Sequence, residues 1–152
     1  MKRLMPYVLG GVLLVGLLCF SHEALSADSV ESLAAPRCTL RTLKGNYVYA
    51  QDGFFPSNGG ALLPFAQAGR DIYYGDGRMT GQGTGSYNGQ IVHFTYSGTY
   101  TVNPDCTGSV TVTDSLGTTS TFDVFIMNDG DGASFVQTNP GFVSATFERR
   151  RQ

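Results

Sequence analysis

The sequence predicts an all-β fold, an eight-stranded antiparallel up-and-down β-barrel that carries one disulfide. Two observations indicate this fold: turn signals recur at short intervals after residue 45, and the runs between them are rich in Thr, Tyr, Val and Phe. The short connections indicate a meander of successive hairpins, and closing such a meander removes its exposed strand edges. A two-sheet β-sandwich is the alternative architecture.

Eight strands follow from the positions of the turns. Turn signals include GDG at 75–77, NG at 88–89 and NPD at 103–105. The segment that begins at Cys38 is expected to form one helical turn that ends at Gly45. The expected strands are 45–51, 63–74, 78–87, 90–102, 107–113, 119–127, 133–138 and 142–148.

The first 27 residues have the organisation of a secretory signal peptide. Lys2 and Arg3 precede an uncharged apolar stretch at 4–20, and cleavage is expected after Ser26 or Ala27. A membrane anchor is the alternative, but the small residues at the cleavage site and the missing basic flank favour cleavage. The sequence therefore predicts a periplasmic or extracellular protein that meets the membrane only through its signal peptide.

The rest of the chain has the length of one domain. We expect a flexible leader at 28–37, the barrel at 38–149 and a basic tail at 150–152. The whole chain has ten Lys and Arg residues against twelve Asp and Glu, a net charge of −2, and no basic stripe runs through the barrel. Nucleic acid is therefore not an expected partner.

The cysteines support export and predict one covalent cross-link. Cys19 lies in the signal peptide, which leaves Cys38 and Cys106, and two remaining cysteines in an exported chain usually pair. The bond would close a loop of about 68 residues and contribute roughly 4 kcal/mol. A metal or redox site is not expected, because there is no CxxC spacing and His93 is the one histidine after the signal peptide. No cofactor is expected either.

The strand expected at 90–102 alternates strictly between an apolar and a polar face. His93 falls on the polar face with a row of Thr and Ser, which favours an exposed histidine over a catalytic base. The apolar face contains Val92, Phe94, Tyr96, Tyr100 and Val102.

Asn88-Gly89 predicts a two-residue type I′ turn, which sets the register of the hairpin around it. In that register Gly85 faces Val92, Gly83 faces Phe94 and Gly81 faces Tyr96. We expect the aromatic rings to lie over the glycines of the neighbouring strand. A ligand cavity above the glycines is the alternative.

Arg70 and Asp71 are charged residues next to this apolar face. A two-residue turn at 76–77 would point Arg70 inward, whereas a three-residue turn would point Asp71 and Tyr73 inward. Either charge would be costly in the interior unless it is paired or used. If the inward charge has only a structural role, we expect it to pair with Glu148 or with a backbone carbonyl. The alternative is that the charge lies near the barrel mouth and reaches solvent.

Several segments in order resemble a known group of proteins: CTLRTLKGNYVY, GDGRMTGQG, YSGTYTVNPDCTGS and FERR. They resemble small exported bacterial proteins that have an LKGxY strand and a GTYxVxPDCTG segment, which are similar to allene-oxide-cyclase-like and dirigent-like barrels. The resemblance spans about 38–149. It implies a barrel, a disulfide and a small apolar ligand or substrate, and it supplies no catalytic residue.

Three functions are compatible with these patterns. The first is the binding of a small apolar or aromatic molecule inside the barrel. The second is a cofactor-free cyclase or isomerase of the allene-oxide-cyclase-like type, in which Arg70, Asp71 or a tyrosine polarises the substrate. The third is a structural or surface-interaction protein with a filled core. The candidate ligand-binding residues are Arg70, Asp71, Tyr73, Phe94, Tyr96 and Tyr100.

Overall fold

The protein forms a closed barrel of eight antiparallel strands, each paired with its neighbour along the chain. A computed structural model describes residues 37–127 and 129–152. The expected signal peptide at 1–27 and all but the last residue of the expected leader lie outside these residues. The last strand pairs with the first and closes the barrel. The predicted up-and-down barrel is confirmed, and the sandwich alternative is not observed.

The secondary structure follows the expected order. A 3-10 turn, Leu40–Leu43, precedes the first strand, where one helical turn was expected. Among the described residues no helix has the length and hydropathy that a membrane crossing requires. The strands are β1 Gly45–Pro56, β2 Leu62–Tyr73, β3 Arg78–Tyr87, β4 Gln90–Val102, β5 Thr107–Asp114, β6 Thr119–Ile126, β7 Gly132–Gln137 and β8 Val143–Arg150.

Strand β1 is five residues longer than the sequence predicts. The segment DGFFPSNGG after Gln51 has the composition of a turn, but its first residues, Asp52 and Gly53, continue the strand. Gly53 has a φ of 158°, and a Cβ there would collide with the carbonyl oxygen of Val143 on β8. The glycine therefore permits close contact between two strands rather than ending one of them. The strand then continues to Phe55, whose ring packs against Tyr87 with the ring centroids 5.7 Å apart.

The β3–β4 hairpin has the predicted register. Asn88 and Gly89 have φ angles of 47° and 85°, as a type I′ turn requires. Gly83 pairs with Phe94 and Gly81 with Tyr96. A Cβ at Gly81 would collide with the ring of Tyr96. The prediction that rings lie over the glycine row is therefore confirmed.

Tyrosines and the 3-10 turn fill one end of the barrel. Leu43 is fully buried beside Tyr47, Tyr73 and Tyr100. The ring of Tyr73 packs edge-on against Tyr47, with centroids 5.3 Å apart, and against Tyr100 at 5.1 Å. We call this the closed end. Burial of these large side chains against one another removes apolar surface from water and holds the 3-10 turn in place.

Arg150 connects the elements of the closed end through hydrogen bonds. Its guanidinium donates hydrogen bonds to the carbonyl oxygens of Thr42 and Gly130 and to the hydroxyl of Tyr47, over 2.7 to 3.2 Å. The sequence places this arginine in a basic tail, but in the structure β8 includes it. Its side chain links the end of the barrel to the 3-10 turn.

The predicted disulfide between Cys38 and Cys106 is present, with the two Cα atoms 5.0 Å apart. It joins Cys38, two positions before the 3-10 turn, to the β4–β5 connection. The backbone N–H of Cys38 also donates a hydrogen bond to the carbonyl of Pro104 in that connection. A structural disulfide is typical of compartments outside the cytoplasm.

Candidate functional site

The barrel contains a cavity of about 380 Å³ above the closed end. Met79 and Tyr73 line it at its deep end, and Leu116 and Thr118 of the β5–β6 turn line it at the other. Leu116 is 64% exposed, so the cavity reaches solvent on that side. We call this side the mouth. A cavity of this volume lies within the range of small-molecule sites in proteins.

One wall of the cavity is apolar and belongs mainly to strands β4, β5 and β6. Alternation along each strand turns one residue in two inward, and on these strands the inward residues are largely aromatic or β-branched. Such a wall offers contact area to a ligand without a directional requirement. Its side chains are Val92, Phe94, Val110, Val112 and Phe122.

The opposite wall, near the mouth, contains a chain of hydrogen-bonded side chains. Tyr87 donates to Gln67 over 2.5 Å, and Gln67 donates to Gln51 over the same distance. Gln51 then donates to Ser144 over 2.9 Å, and Ser144 donates to Gln137 over 2.9 Å. The network crosses strands β3, β2, β1, β8 and β7. Because these side chains hydrogen-bond to one another, they form a fixed polar surface.

The deep end of the cavity contains two carboxyl groups in contact. Asp71 on β2 and Glu148 on β8 are 6% and 1% exposed. Their side chains are within hydrogen-bonding reach of each other, and such a bond requires a proton on one of them. The Tyr96 hydroxyl donates to Oδ1 of Asp71 over 2.6 Å, and the Tyr73 hydroxyl donates to Oε2 of Glu148 over 3.2 Å. We call Asp71 and Glu148 the carboxyl pair.

Burial makes this pair weakly acidic. Loss of hydration raises the pKa of Asp71 to about 6, although the hydrogen bond from Tyr96 and the contact with Glu148 oppose the shift. Burial and then repulsion from Asp71 raise the pKa of Glu148 well above its ordinary range. Both shifts favour the protonated forms, so the pair releases its protons at a higher pH than two free carboxyl groups would. At neutral pH, above the pKa of Asp71, the pair carries negative charge.

Four of the six candidate residues named from the sequence line this cavity: Asp71, Tyr73, Phe94 and Tyr96. Arg70 lies on the outer face of β2 and is exposed. Tyr100 lies in the closed end, where its hydroxyl donates to the carbonyl of Leu40 and accepts a bond from the N–H of Gly75.

The length of the β2–β3 connection determines which charge points inward. Residues 74–77 form the connection, with the N–H of Tyr74 donating to the carbonyl of Arg78, and Tyr73 pairs with Met79. The pairing of Tyr73 with Met79 is the one that a three-residue turn at 75–77 produces. Asp71 therefore points inward. Asp71 is also buried, which is contrary to the alternative that the charge reaches solvent.

Sequence reasoning considered Glu148 only as a partner for a structural charge and did not identify Tyr49 or Thr146. All three side chains point into the cavity, whereas Phe147 lies outside and is 49% exposed. Strand β8 therefore has its polar residues inside and its apolar residues outside, the reverse of the usual pattern. The alternation of polar and apolar residues in SATFE was visible in the sequence, but not which face was the inner one.

No triad and no metal cluster is apparent in the part of the chain that the structure describes. His93 is exposed on the outside of the barrel and contacts the hydroxyl of Thr84 over 3.0 Å. Within residues 37–127 and 129–152 no three His, Cys, Asp or Glu side chains are grouped so as to hold a metal ion.

The comparisons with known proteins support the fold alone. No protein-family model matches the sequence, and no curated protein matches it at a significant level. Among solved structures the chain is similar to a redesigned β-barrel, mFAP0, bound to DFHBI, with 16% identity and a TM-score of 0.51. The match covers 72% of this chain and 99% of the other.

Proposed function

We propose that this protein is an exported binding protein that holds a small apolar or aromatic molecule inside its barrel. The observation that supports this most directly is the 380 Å³ cavity, which aromatic side chains line and which opens at the mouth. A barrel with a purely structural role would be more stable with a filled interior than with a cavity. The cavity favours a binding protein or an enzyme over a protein with a filled core.

Two further observations support the proposal. The redesigned barrel of similar fold is bound to DFHBI, so a small barrel of this kind has room for a small molecule. Export is supported by the disulfide and by the signal-peptide pattern of the first 27 residues.

Binding of the uncharged fluorophore N-phenyl-1-naphthylamine tests this proposal. We expect its emission to rise and shift to the blue on addition of the protein. Val112→Trp would fill the cavity from β5 and lower the affinity at least tenfold. Thr111→Trp is the matched control, because Thr111 is exposed on the outer face of the same strand. Equal affinity in the two variants, or no binding by the parent, would contradict the proposal.

The second candidate is a cofactor-free isomerase or cyclase. The raised pKa of Asp71 favours it, because an acid that titrates near neutral pH beside a cavity can transfer protons. The resemblance to allene-oxide-cyclase-like barrels is in line with this candidate and remains a prediction.

A comparison of the bound molecules distinguishes the two candidates. Parent and Asp71→Asn proteins would be purified from the native compartment, and their bound molecules identified by mass spectrometry. An enzyme would hold product in the parent and unconverted substrate in the variant. A binding protein would hold the same molecule in both.

A further inference from the structure

The deep end of the cavity contains three buried polar atoms without a hydrogen-bond partner in the described chain. They are the hydroxyl oxygens of Tyr49 and Thr146 and the Oε1 atom of Glu148. Tyr49 and Glu148 lie directly opposite each other on β1 and β8, and Thr146 is the next inward residue on β8. The Tyr49 hydroxyl lies close to that of Tyr96, which already donates to Asp71, and the two hydroxyls are not aligned for a regular hydrogen bond. Buried polar atoms in native proteins nearly always have a hydrogen-bond partner, which a bound ligand or water would supply here.

The same region carries a negative charge that no cation of the cavity balances. The side chains that line the cavity include Asp71, Asp114 and Glu148, and none of the described lining residues is a lysine, arginine or histidine. The next inward residue of β8 is Arg150, but its donors are engaged by two carbonyl groups and the Tyr47 hydroxyl in the closed end. A buried charge without a counter-charge is costly, and a cationic ligand would remove that cost.

We propose that the ligand of this cavity is a protonated amine on an apolar or aromatic body, with its ammonium group held between Glu148, Asp71 and Tyr49. This inference rests on the proposed binding function and specifies its ligand class. An ammonium has three donors and no acceptor, which matches the unpartnered oxygens of Glu148, Tyr49 and Thr146. The ring of Tyr49 lies 6.4 Å from that of Tyr96, and such rings attract a cation.

The apolar wall of the cavity accounts for the apolar body of the proposed ligand. An amine with a flat apolar body would lay that body along Phe94, Val112 and Phe122 on the apolar wall. A carboxylate head group would meet the negative charge of the carboxyl pair and be repelled. An alcohol would satisfy some of the oxygens but would leave the charge unbalanced.

Three probes with one body test this inference. Isothermal titration calorimetry at pH 7.5 would compare 1-naphthylmethylamine, 1-naphthalenemethanol and 1-naphthoate. We expect the amine to bind at least tenfold more tightly than the alcohol and the naphthoate not to bind. Alcohol affinity equal to or above that of the amine would overturn the inference and leave the proposed function standing. Failure of all three probes and of N-phenyl-1-naphthylamine would overturn both.

Variants of the carboxyl pair test whether the preference for the amine depends on these two side chains. Asp71→Asn and Glu148→Gln should each reduce the tenfold preference for the amine to threefold or less while alcohol affinity changes by less than threefold. Asp123→Asn, on the outer face of β6, should keep the full preference. A preference retained in both cavity variants would show that the amine binds elsewhere and would overturn the inference.

The pH dependence of the parent provides a readout that needs no variant. The amine should bind more tightly as the carboxyl pair loses its shared protons, so its affinity should rise at least fivefold from pH 5 to pH 7.5. The alcohol should show less than a twofold change. A flat profile for the amine would overturn the inference. The titratable and charged groups that face the pair or its neighbouring tyrosines are Tyr47, Tyr49, Tyr73, Tyr96, Asp131 and Arg150.

Discussion

The hydroxyl of Tyr96 reaches across a strand to donate a 2.6 Å hydrogen bond to Asp71. Tyr96 lies on β4 and Asp71 on β2, and Gly81 of the intervening strand β3 pairs with both. A Cβ at Gly81 would occupy the place of the Tyr96 ring. The missing side chain of one glycine is therefore what allows the tyrosine to contact the buried acid.

We expect Tyr96→Phe to raise the pKa of Asp71 above its value of about 6. The hydrogen bond from Tyr96 stabilises the ionised form, so its loss makes ionisation harder. A carbon-13 NMR titration of the Asp71 carboxyl would measure the change. Tyr74→Phe is the control, because it removes a tyrosine hydroxyl on the outside of the barrel, beside Thr80. An unchanged or lowered pKa in Tyr96→Phe would contradict the expectation.

The free energy of unfolding of the empty barrel should fall as the pH rises from about 3.8 to about 6. The pKa of Asp71 is about 6 in the folded protein and near 3.8 when unperturbed, so the unfolded chain loses its proton first as the pH rises. The contribution is fully present below pH 3.8 and is lost as the pH rises to about 6. For a shift of this size it amounts to roughly 2–3 kcal/mol. Glu148, whose pKa is also raised, acts in the same direction.

Urea unfolding of the ligand-free protein at several pH values measures this fall. Asp71→Asn should show a smaller fall, because one of the two titrating groups is gone. Asp123→Asn should behave as the parent does, since that side chain is exposed. A parent whose free energy of unfolding is constant or rises over this range would refute the prediction.

Gly83→Val should destabilise the barrel strongly. A Cβ at this position would collide with the Tyr49 hydroxyl and lie 2.9 Å from Cζ of Phe94, and overpacking of this kind costs about 1–3 kcal/mol or more. Thr84→Val on the outer face should cost less than about 1 kcal/mol. Thermal melts of both variants would measure the difference. Equal effects would mean that the two faces of β3 are wrongly assigned.

Loss of the disulfide should lower stability without changing the strand topology. The bond closes a loop of 68 residues, and the chain-entropy account gives roughly 4 kcal/mol for it. A Cys38→Ser, Cys106→Ser double variant should unfold at a lower urea concentration than the parent and should no longer respond to reductant. Two titratable thiols in the folded parent, or an unchanged urea midpoint in the double variant, would contradict this.

Local patterns in the sequence predicted most of the fold. Alternation in β4 identified its inner face, and Asn88-Gly89 determined the β3–β4 register, because a type I′ turn permits one pairing. Cys19 was assigned to the expected signal peptide, and the two cysteines that remain pair as predicted. These features depend on residues near one another in sequence or on simple counting.

Short polar segments gave a wrong strand end in one place and left the inward charge undecided in another. Asp52-Gly53 has the composition of a turn, but contact with β8 and the packing of Phe55 keep β1 extended. The four-residue connection at 74–77 determined that Asp71 and not Arg70 points inward, and the sequence left both possibilities open. Turn propensity is a property of a short segment, and the pairing of strands across the barrel outweighs it here.

The sequence by itself determined the barrel, its strand order, the disulfide and the aromatic inner face of β4. Only the tertiary structure decided that Asp71 and Glu148 meet, although 77 positions separate them in the chain and no local pattern links them. Closure of β8 onto β1 places Glu148 opposite Tyr49, and it turns Phe147 outward and Glu148 inward. The physical reason is that alternation fixes which residues share a face, whereas closure of the barrel decides which face is enclosed.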